Sequence, residues 1–200
     1  CWEYGDGHPF QTPNDELRRS IAAKHGESTL TDIGEPGAVG NLLESVLIDD
    51  TAKRLNLDQP STNAATLVER TKYYEVSMDG VCVQNQPVTI KSSEYVQIID
   101  LEAENPFLDE IEVQGIIPIE CKCTSAYPES MPPLYRGPIQ LQMQMMAGNS
   151  DFGIIVSLHR SIERRITVYK RSKTICERII ELSKDFVHRV ETATFYPPVS

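Results

Sequence analysis

The stretch GIIPIECKCT, residues 115–124, constrains the fold of this chain more than any other part of it. Its apolar run 116–119 lies between a glycine and small polar residues, a pattern typical of a buried central β-strand. The run continues into Glu120 and Lys122, which the two-residue period of a strand places on one face. Because charges are costly to bury without a partner, this pair indicates a functional site at the end of a core strand.

Composition limits the class of protein. The chain has 200 residues, 40% of them hydrophobic, which is enough for one α/β domain with a real core. No apolar run approaches the roughly 18–20 residues of a membrane span, and no signal peptide is visible, so we expect a cytoplasmic protein. Five cysteines without CxxC spacing argue against disulfides, zinc and iron–sulfur clusters. We expect Cys121 and Cys123 to pack as small hydrophobes on the face opposite Glu120.

The remaining pattern predicts a mixed α/β (α+β) sheet domain, in which helices and strands follow one another along the chain. Apolar spacing and capping residues predict helices at about 15–25, 38–57 and 173–191. Strands are expected at 72–83, within 86–104, and at 151–160 and 165–172. Residues 139–148 alternate like a strand but consist of good helix formers, and the helix is favoured.

Three carboxylates and one lysine carry the expected chemistry. Taken alone, Glu44 is a solvent-facing carboxylate on a helix, and Asp79 with Gly80 is a hairpin turn. Together with Glu120 and Lys122, they are the groups that Mg²⁺-assisted phosphodiester hydrolysis requires. The carboxylates supply hard oxygen ligands, and the lysine can orient the attacking water and stabilise developing charge.

Five short motifs then occur in an order that one group of nucleases shares. They are His8-Pro9-Phe10-Gln11-Thr12-Pro13, Gly40-Asn41-Leu42-Leu43-Glu44, Ser77-Met78-Asp79-Gly80, Glu120-Cys121-Lys122, and Gln140-Leu141-Gln142-Met143-Gln144-Met145 ahead of Asp151-Phe152-Gly153. With these motifs, residues 8 to 190 resemble the PD-(D/E)xK nuclease superfamily, and within it the phage lambda exonuclease and YqaJ-like recombinase family. The resemblance implies a restriction-endonuclease-like core, with a central mixed β-sheet flanked by helices, in a single nuclease domain over 1–200.

The resemblance also implies roles for individual residues. The implied ligands of one or two Mg²⁺ ions, for which Mn²⁺ would substitute, are Glu44, Asp79, Glu120 and the backbone carbonyl of Cys121. Lys122 would address the attacking water, and Gln140 would contact that water or the phosphate.

Further residues are candidates for nucleic-acid contacts. Residues 125–138 contain four prolines and are expected to form an irregular, substrate-contacting loop. The candidates are Tyr135 and Arg136 in this loop, Gln140 and Gln142 after it, and Lys170 and Arg171 in the basic stretch 159–178. A solvated basic edge is the alternative interpretation of that stretch.

Two departures from the family pattern leave questions open. The separation of 41 positions between Asp79 and Glu120 indicates an insertion around 84–113, which makes Asp109 or Glu110 an alternative second carboxylate. The Ser-x-Asp-Gly match favours Asp79. The family segments that cradle a 5′ phosphate would precede His8 and have no match here, which leaves 5′-end selectivity open.

The sequence therefore supports three hypotheses. The first is a Mg²⁺-dependent DNA exonuclease acting 5′→3′ on linear duplex ends in phage-type recombination or repair. The resemblance gives it a single-strand annealing protein as partner and a homo-oligomer, a trimeric ring, as assembly. The second is a single-strand nuclease or an endonuclease of the same fold. The third is a non-catalytic acidic DNA mimic or assembly protein, supported by the net charge of −10, which argues against broad phosphate neutralisation.

Overall fold

The computed structural model describes residues 12–28, 34–62, 68–70 and 73–197. Contacts group the chain into two compact units, residues 34–179 and the N- and C-terminal residues 1–33 with 180–200. The expectation of one nuclease domain over 1–200, with an insertion around 84–113, stays a prediction. No helix in the described ranges is long and apolar enough to cross a bilayer.

The elements follow the predicted order closely. The helices are α1 (Pro13–Lys24), α2 (Gly34–Arg54), α3 (Pro138–Ala147) and α4 (Lys173–Thr192). The strands are β1 (Val68–Arg70), β2 (Glu75–Ser77), β3 (Gly80–Lys91), β4 (Val96–Ile99), β5 (Glu110–Thr124), β6 (Phe152–His159) and β7 (Glu163–Lys170). Residues 125–137, which include three prolines, are irregular apart from a 3-10 turn. The helix at 139–148 is confirmed, whereas α2 begins and ends earlier than predicted.

Five strands form one mixed sheet in the order β3-β5-β6-β7-β4. β5 pairs antiparallel with β3 and parallel with β6, while β7 pairs antiparallel with β6 and parallel with β4. The parallel pair β5–β6 is joined through α3. The predicted fold class, a mixed sheet with flanking helices, is therefore confirmed.

The interpretation of Asp79-Gly80 as a hairpin turn is wrong. β2 pairs with β1 in a separate two-stranded sheet, and β3 pairs with β5. The Asp79-Gly80 step therefore joins strands of two different sheets. It leaves the Asp79 carboxylate beside β5.

The two faces of β5 lie in different environments. Ile117, Ile119 and Cys121 face a core that includes Ile48 of α2, and Glu120 points to the other face. The expected continuous buried run is wrong at Ile116, which is 41% exposed. It follows Gly115, whose φ of +87° coincides with a register shift between β3 and β5.

The two strand cysteines do not behave alike. Cys121 is buried in the core, as predicted. Cys123 lies two residues nearer the end of β5 and is exposed, so its predicted packing is wrong.

On the other face of the sheet, α3 approaches β6 closely because Gly153 has no side chain. A Cβ at this position would lie 2.8 Å from Cδ1 and 2.9 Å from Cγ of Leu141. Leu141 is fully buried beside Met145 and Tyr169. This contact sets the distance at which the glutamines of α3 lie over β5.

The terminal unit is held by its own contacts. The side chain of Thr12 caps α1, and Asp15 bonds back to the Thr12 backbone to complete a capping box. Asn14 makes two hydrogen bonds with the backbone of Tyr196. The first family motif, residues 8–13, lies outside the described residues except for Thr12 and Pro13.

We predict that Gly153→Ala lowers the free energy of unfolding by about 1–3 kcal/mol, because Leu141 has no space into which to retreat. Gly40→Ala is the matched control, since a Cβ there meets no atom within 4 Å. It should raise the free energy of unfolding by about 0.5–1 kcal/mol through helix propensity. Urea denaturation of both variants is the measurement. Wild-type stability for Gly153→Ala would show that α3 can move away from the sheet freely.

Candidate active site

The register of β3 against β5 brings Asp79 to Glu120. Gly80 is paired with Ile119, so the residue before one lies beside the residue after the other. The Asp79 carboxylate is fixed there, since its Oδ2 accepts a hydrogen bond from the backbone N–H of Cys121 at 2.8 Å. The Asp79 carboxylate is thus hydrogen-bonded to the backbone of β5, which is an interior strand next to the edge strand β3 rather than the predicted central strand of the sheet.

The alternative carboxylates lie at the opposite end of the same strand pair. Glu110 is paired in register with Lys91, nine strand positions from Ile119, or roughly 30 Å along β5. Asp109 is adjacent and exposed. The structure therefore brings Asp79, and neither Asp109 nor Glu110, next to Glu120.

Glu120 is the centre of the site. The residue is 1% exposed, and both carboxylate oxygens accept hydrogen bonds from side chains. Oε1 accepts from Lys122 Nζ at 2.5 Å, and Oε2 accepts from Gln144 Nε2 at 2.5 Å. Lys122 Nζ also donates to Oε1 of Gln140 at 2.9 Å. A buried carboxylate is thus held between a cation from its own strand and an amide from α3.

The three alternating glutamines of α3 divide between two faces of the helix. Gln140 and Gln144 are four residues apart and share the face toward β5. Gln142 is fully buried, with Nε2 donating to the carbonyl of Lys170 and Oε1 accepting from the N–H of Ser172. Its amide therefore ties α3 to the end of β7, away from solvent.

Gln144 is a site residue for which the sequence motifs predicted no role. Its Nε2 bridges the carboxylate of Glu120 and the backbone carbonyl of Ser77 at 2.8 Å. The bridge links α3, β5 and the segment that leads to Asp79. The signal was present in the sequence, because a helical period places residues 140 and 144 together once the segment is recognised as a helix.

The carboxylates affect one another electrostatically. Burial raises the pKa of Glu120 above its ordinary value, against the opposing effect of the Lys122 ammonium. The pKa of Glu44 is also raised, first by burial and then by the negative charges of Asp79 and Glu120. Glu44 of α2 therefore belongs to the same cluster. Burial raises the pKa of the Cys121 thiol as well.

The chemistry of this donor set suits a hard divalent cation. Three carboxylates lie close enough for their charges to interact, and a bound cation would offset the repulsion that raises the pKa of Glu44. As the described side chains are placed, no three acidic, histidine or cysteine residues form a group that could hold a metal ion. Both oxygens of Glu120 instead accept bonds from Lys122 and Gln144.

The cations that the sequence offers for nucleic-acid contact have carboxylate partners. Lys170 Nζ lies 2.5 Å from Asp100, and Arg171 lies 2.8 Å from Asp151. The partner of Arg136 is Glu129 at 2.7 Å, and the Arg136 guanidinium lies 5.5 Å from the ring centroid of Tyr135. Among the described residues, none of these three cations forms a hydrogen bond or an ion pair with Glu120.

Comparison with known proteins identifies the fold. No protein-family model matches the chain, and no curated protein matches its sequence. The crystal structure of an alkaline exonuclease (LHK-Exo) from Laribacter hongkongensis matches with a TM-score of 0.56 and 13% identity, over 90% of this chain and 79% of that chain. The LHK-Exo structure in complex with dAMP matches with a TM-score of 0.53 and 13% identity, over 90% and 80%. The fold is therefore similar to that of an alkaline exonuclease.

We predict that Gln144→Leu lowers the free energy of unfolding by about 1–3 kcal/mol, because it leaves a buried carboxylate oxygen without its donor. Gln140→Leu is the control on the same helix face. Its partner, Lys122 Nζ, is part-exposed, so that water can replace the lost bond at a smaller cost. Chemical denaturation compares the two variants. Equal losses would contradict the assignment of Gln144 as the buried support of Glu120.

Proposed function

We propose that this chain is a Mg²⁺-dependent DNA exonuclease of the PD-(D/E)xK superfamily that hydrolyses phosphodiester bonds at the ends of linear double-stranded DNA. The observation that carries the proposal is the buried Glu120 carboxylate, held by Lys122 and Gln144 beside Asp79. It is supported by a fold that is similar to that of an alkaline exonuclease. The 5′→3′ direction follows the resemblance in sequence.

The carboxylates of Glu44, Asp79 and Glu120, with the backbone carbonyl of Cys121, would hold the ion. When bound, Mg²⁺ lowers the pKa of a coordinated water and neutralises charge on the scissile phosphate. The hydrogen bond that Asp79 accepts from the Cys121 N–H supports this role, because it holds the carboxylate beside Glu120. Glu120 is positioned by two donors and has little freedom to rotate.

Lys122 is the group that reaches the substrate. Its ammonium has three donors, of which Glu120 and Gln140 accept two within the described residues. Its side chain is 34% exposed while that of Glu120 is 2% exposed, so Lys122 connects the buried carboxylate with solvent. The remaining N–H can hold the attacking water or stabilise a phosphate oxygen as charge develops. Gln140 holds the Lys122 ammonium in this position by accepting one of its hydrogen bonds.

The proposed partners follow from the same reasoning. The substrate is a duplex DNA end, with a single-strand annealing protein as partner in recombination or repair and a homo-oligomeric ring as assembly. Three predicted contacts, Lys170, Arg171 and Arg136, would have to exchange a carboxylate for a phosphate in order to bind DNA.

We predict that Lys122→Ala slows the digestion of linear duplex DNA by roughly 10²- to 10³-fold, the usual loss when one charge-stabilising donor is removed. Lys122→Gln keeps a donor for Glu120 without the charge and should be folded and equally slow. Circular dichroism checks both folds, because Glu120 loses its cation in both variants.

Undiminished digestion by pure Lys122→Ala protein would overturn the proposed role. Covalently closed circular DNA should resist the wild-type enzyme, and its digestion would favour the endonuclease alternative.

We predict that calorimetric titration with Mg²⁺ or Mn²⁺ gives a binding heat that Glu120→Gln and Asp79→Asn abolish. Asp109→Asn is the matched control, and it should retain the heat because Asp109 lies at the far end of β5. If Asp79→Asn retained the binding heat and Asp109→Asn abolished it, the second metal carboxylate would be Asp109 and not Asp79. A wild-type protein without a Glu120-dependent heat would support the non-catalytic acidic alternative.

A further inference from the structure

An exposed aromatic ring and an exposed guanidinium lie together at the carboxyl ends of β5 and β6. The guanidinium of Arg160 is 4.3 Å from the ring centroid of Tyr127, a cation–π distance. Tyr127 is 68% exposed even with this contact. Most of the Tyr127 side chain therefore faces solvent, so the ring contributes little to stability through burial.

The charge of Arg160 is not neutralised in the way that neighbouring charges are. On the following strand, Arg164 forms an ion pair with Asp50, and Arg165 forms one with Glu163. Within the part of the chain that the structure describes, the recorded side-chain partner of Arg160 is the face of Tyr127 rather than a carboxylate. An acidic chain thus presents an available cation at this point.

The backbone position of Arg160 is unfavourable for arginine. Arg160 and Ser161 have φ values of 51° and 64°. They are the two central residues of the β-turn that the Ile162 N–H to His159 O bond closes, within the three-residue connection between β6 and β7. Turns with two positive φ values favour asparagine and glycine. A strained residue with an exposed functional group is the kind of position that points to a role in binding.

The pair lies on the same strand end as the candidate active site. The N–H of Arg160 donates to the carbonyl of Thr124 at 2.7 Å. Thr124 is two residues beyond Lys122 on β5, about 7 Å along the strand. A DNA strand that has its scissile phosphate at Lys122 and continues past the carboxyl end of β5 would therefore pass close to Tyr127 and Arg160.

We propose that Tyr127 and Arg160 form a stacking platform for an unpaired base of a single DNA strand next to the cleaved bond. This inference rests on the proposed function and names a part of the substrate that the platform recognises. The ring of Tyr127 offers a sequence-independent surface, because every base has a π-face. Arg160 holds that ring and contacts the adjacent phosphate, so an unpaired strand end is bound in preference to an intact duplex.

The test measures binding without cleavage. Each protein is titrated in the presence of a chelator with a short dye-labelled single-stranded oligonucleotide, and anisotropy gives the Kd. Tyr127→Ala should weaken binding on the order of tenfold, and Tyr127→Phe should restore it. A 2-aminopurine base in the same oligonucleotide should be quenched by wild type and by Tyr127→Phe, and not by Tyr127→Ala.

Arg160→Asn separates binding from folding. Asparagine suits the turn, so the melting temperature should not fall, while the affinity for the single strand should. Lys91→Gln removes the same charge from an exposed position at the far end of β3 and should leave affinity unchanged. Affinity retained by Tyr127→Ala, or no binding of single strands by wild type, would overturn the platform.

The outcomes also distinguish this inference from the proposed function. A wild-type protein that digests linear DNA but binds single strands equally well without Tyr127 keeps the nuclease and loses the platform. A protein that digests no DNA but shows Tyr127-dependent binding and quenching keeps the platform and loses the nuclease. Loss of binding in Lys91→Gln as well as in Arg160→Asn would show a general charge effect, against the platform.

Discussion

The burial of one negative charge determines most of the architecture around it. Glu120 lies inside the protein, where an unpaired carboxylate would be strongly unfavourable. It is tolerated because two donors are fixed on it, one from the same strand and one from α3. The strand alone cannot supply both, since the same-face neighbours of Glu120 are Lys122 and Pro118, and proline has no side-chain donor. The site therefore requires a helix packed directly over β5.

Two glycines allow α3 and α2 to pack closely against the sheet. At Gly153, the absence of a side chain lets Leu141 bring α3 onto the sheet. At Gly80, a Cβ would lie 2.8 Å from Cγ2 of Ile48, so this glycine lets α2 approach β3 just beside Asp79. The charges of Glu44 and Asp79 act on each other and on Glu120 at this end of the sheet, where both faces allow close packing. The electrostatic cluster is a consequence of the close approach of α2 and α3 to the sheet.

The parts of the site that local periodicity controls could be predicted from the sequence. The pairing of Glu120 with Lys122 follows from strand geometry, and the amphipathic helix of residues 173–191 follows from its apolar stripe. The difference between Gln142 and Gln144 could not be predicted before the segment was known to be a helix. Ion pairs such as Lys170 with Asp100 join residues 70 positions apart, and only the tertiary fold brings them together. The exposure of Ile116 accompanies a register shift between β3 and β5, which the two-residue period of a strand does not predict.

The distribution of charge pairs also changes how the net charge of −10 bears on DNA binding. The basic stretch 159–178 would look like a phosphate track if each cation were free, but several of its cations are paired within the fold. A protein of this kind gains little affinity from a broad positive field. Recognition in the proposed function would then depend on a few groups, each of which acts by direct contact. Lys122, with one donor toward solvent, and Arg160, on an aromatic face, are groups of that kind at the same end of β5.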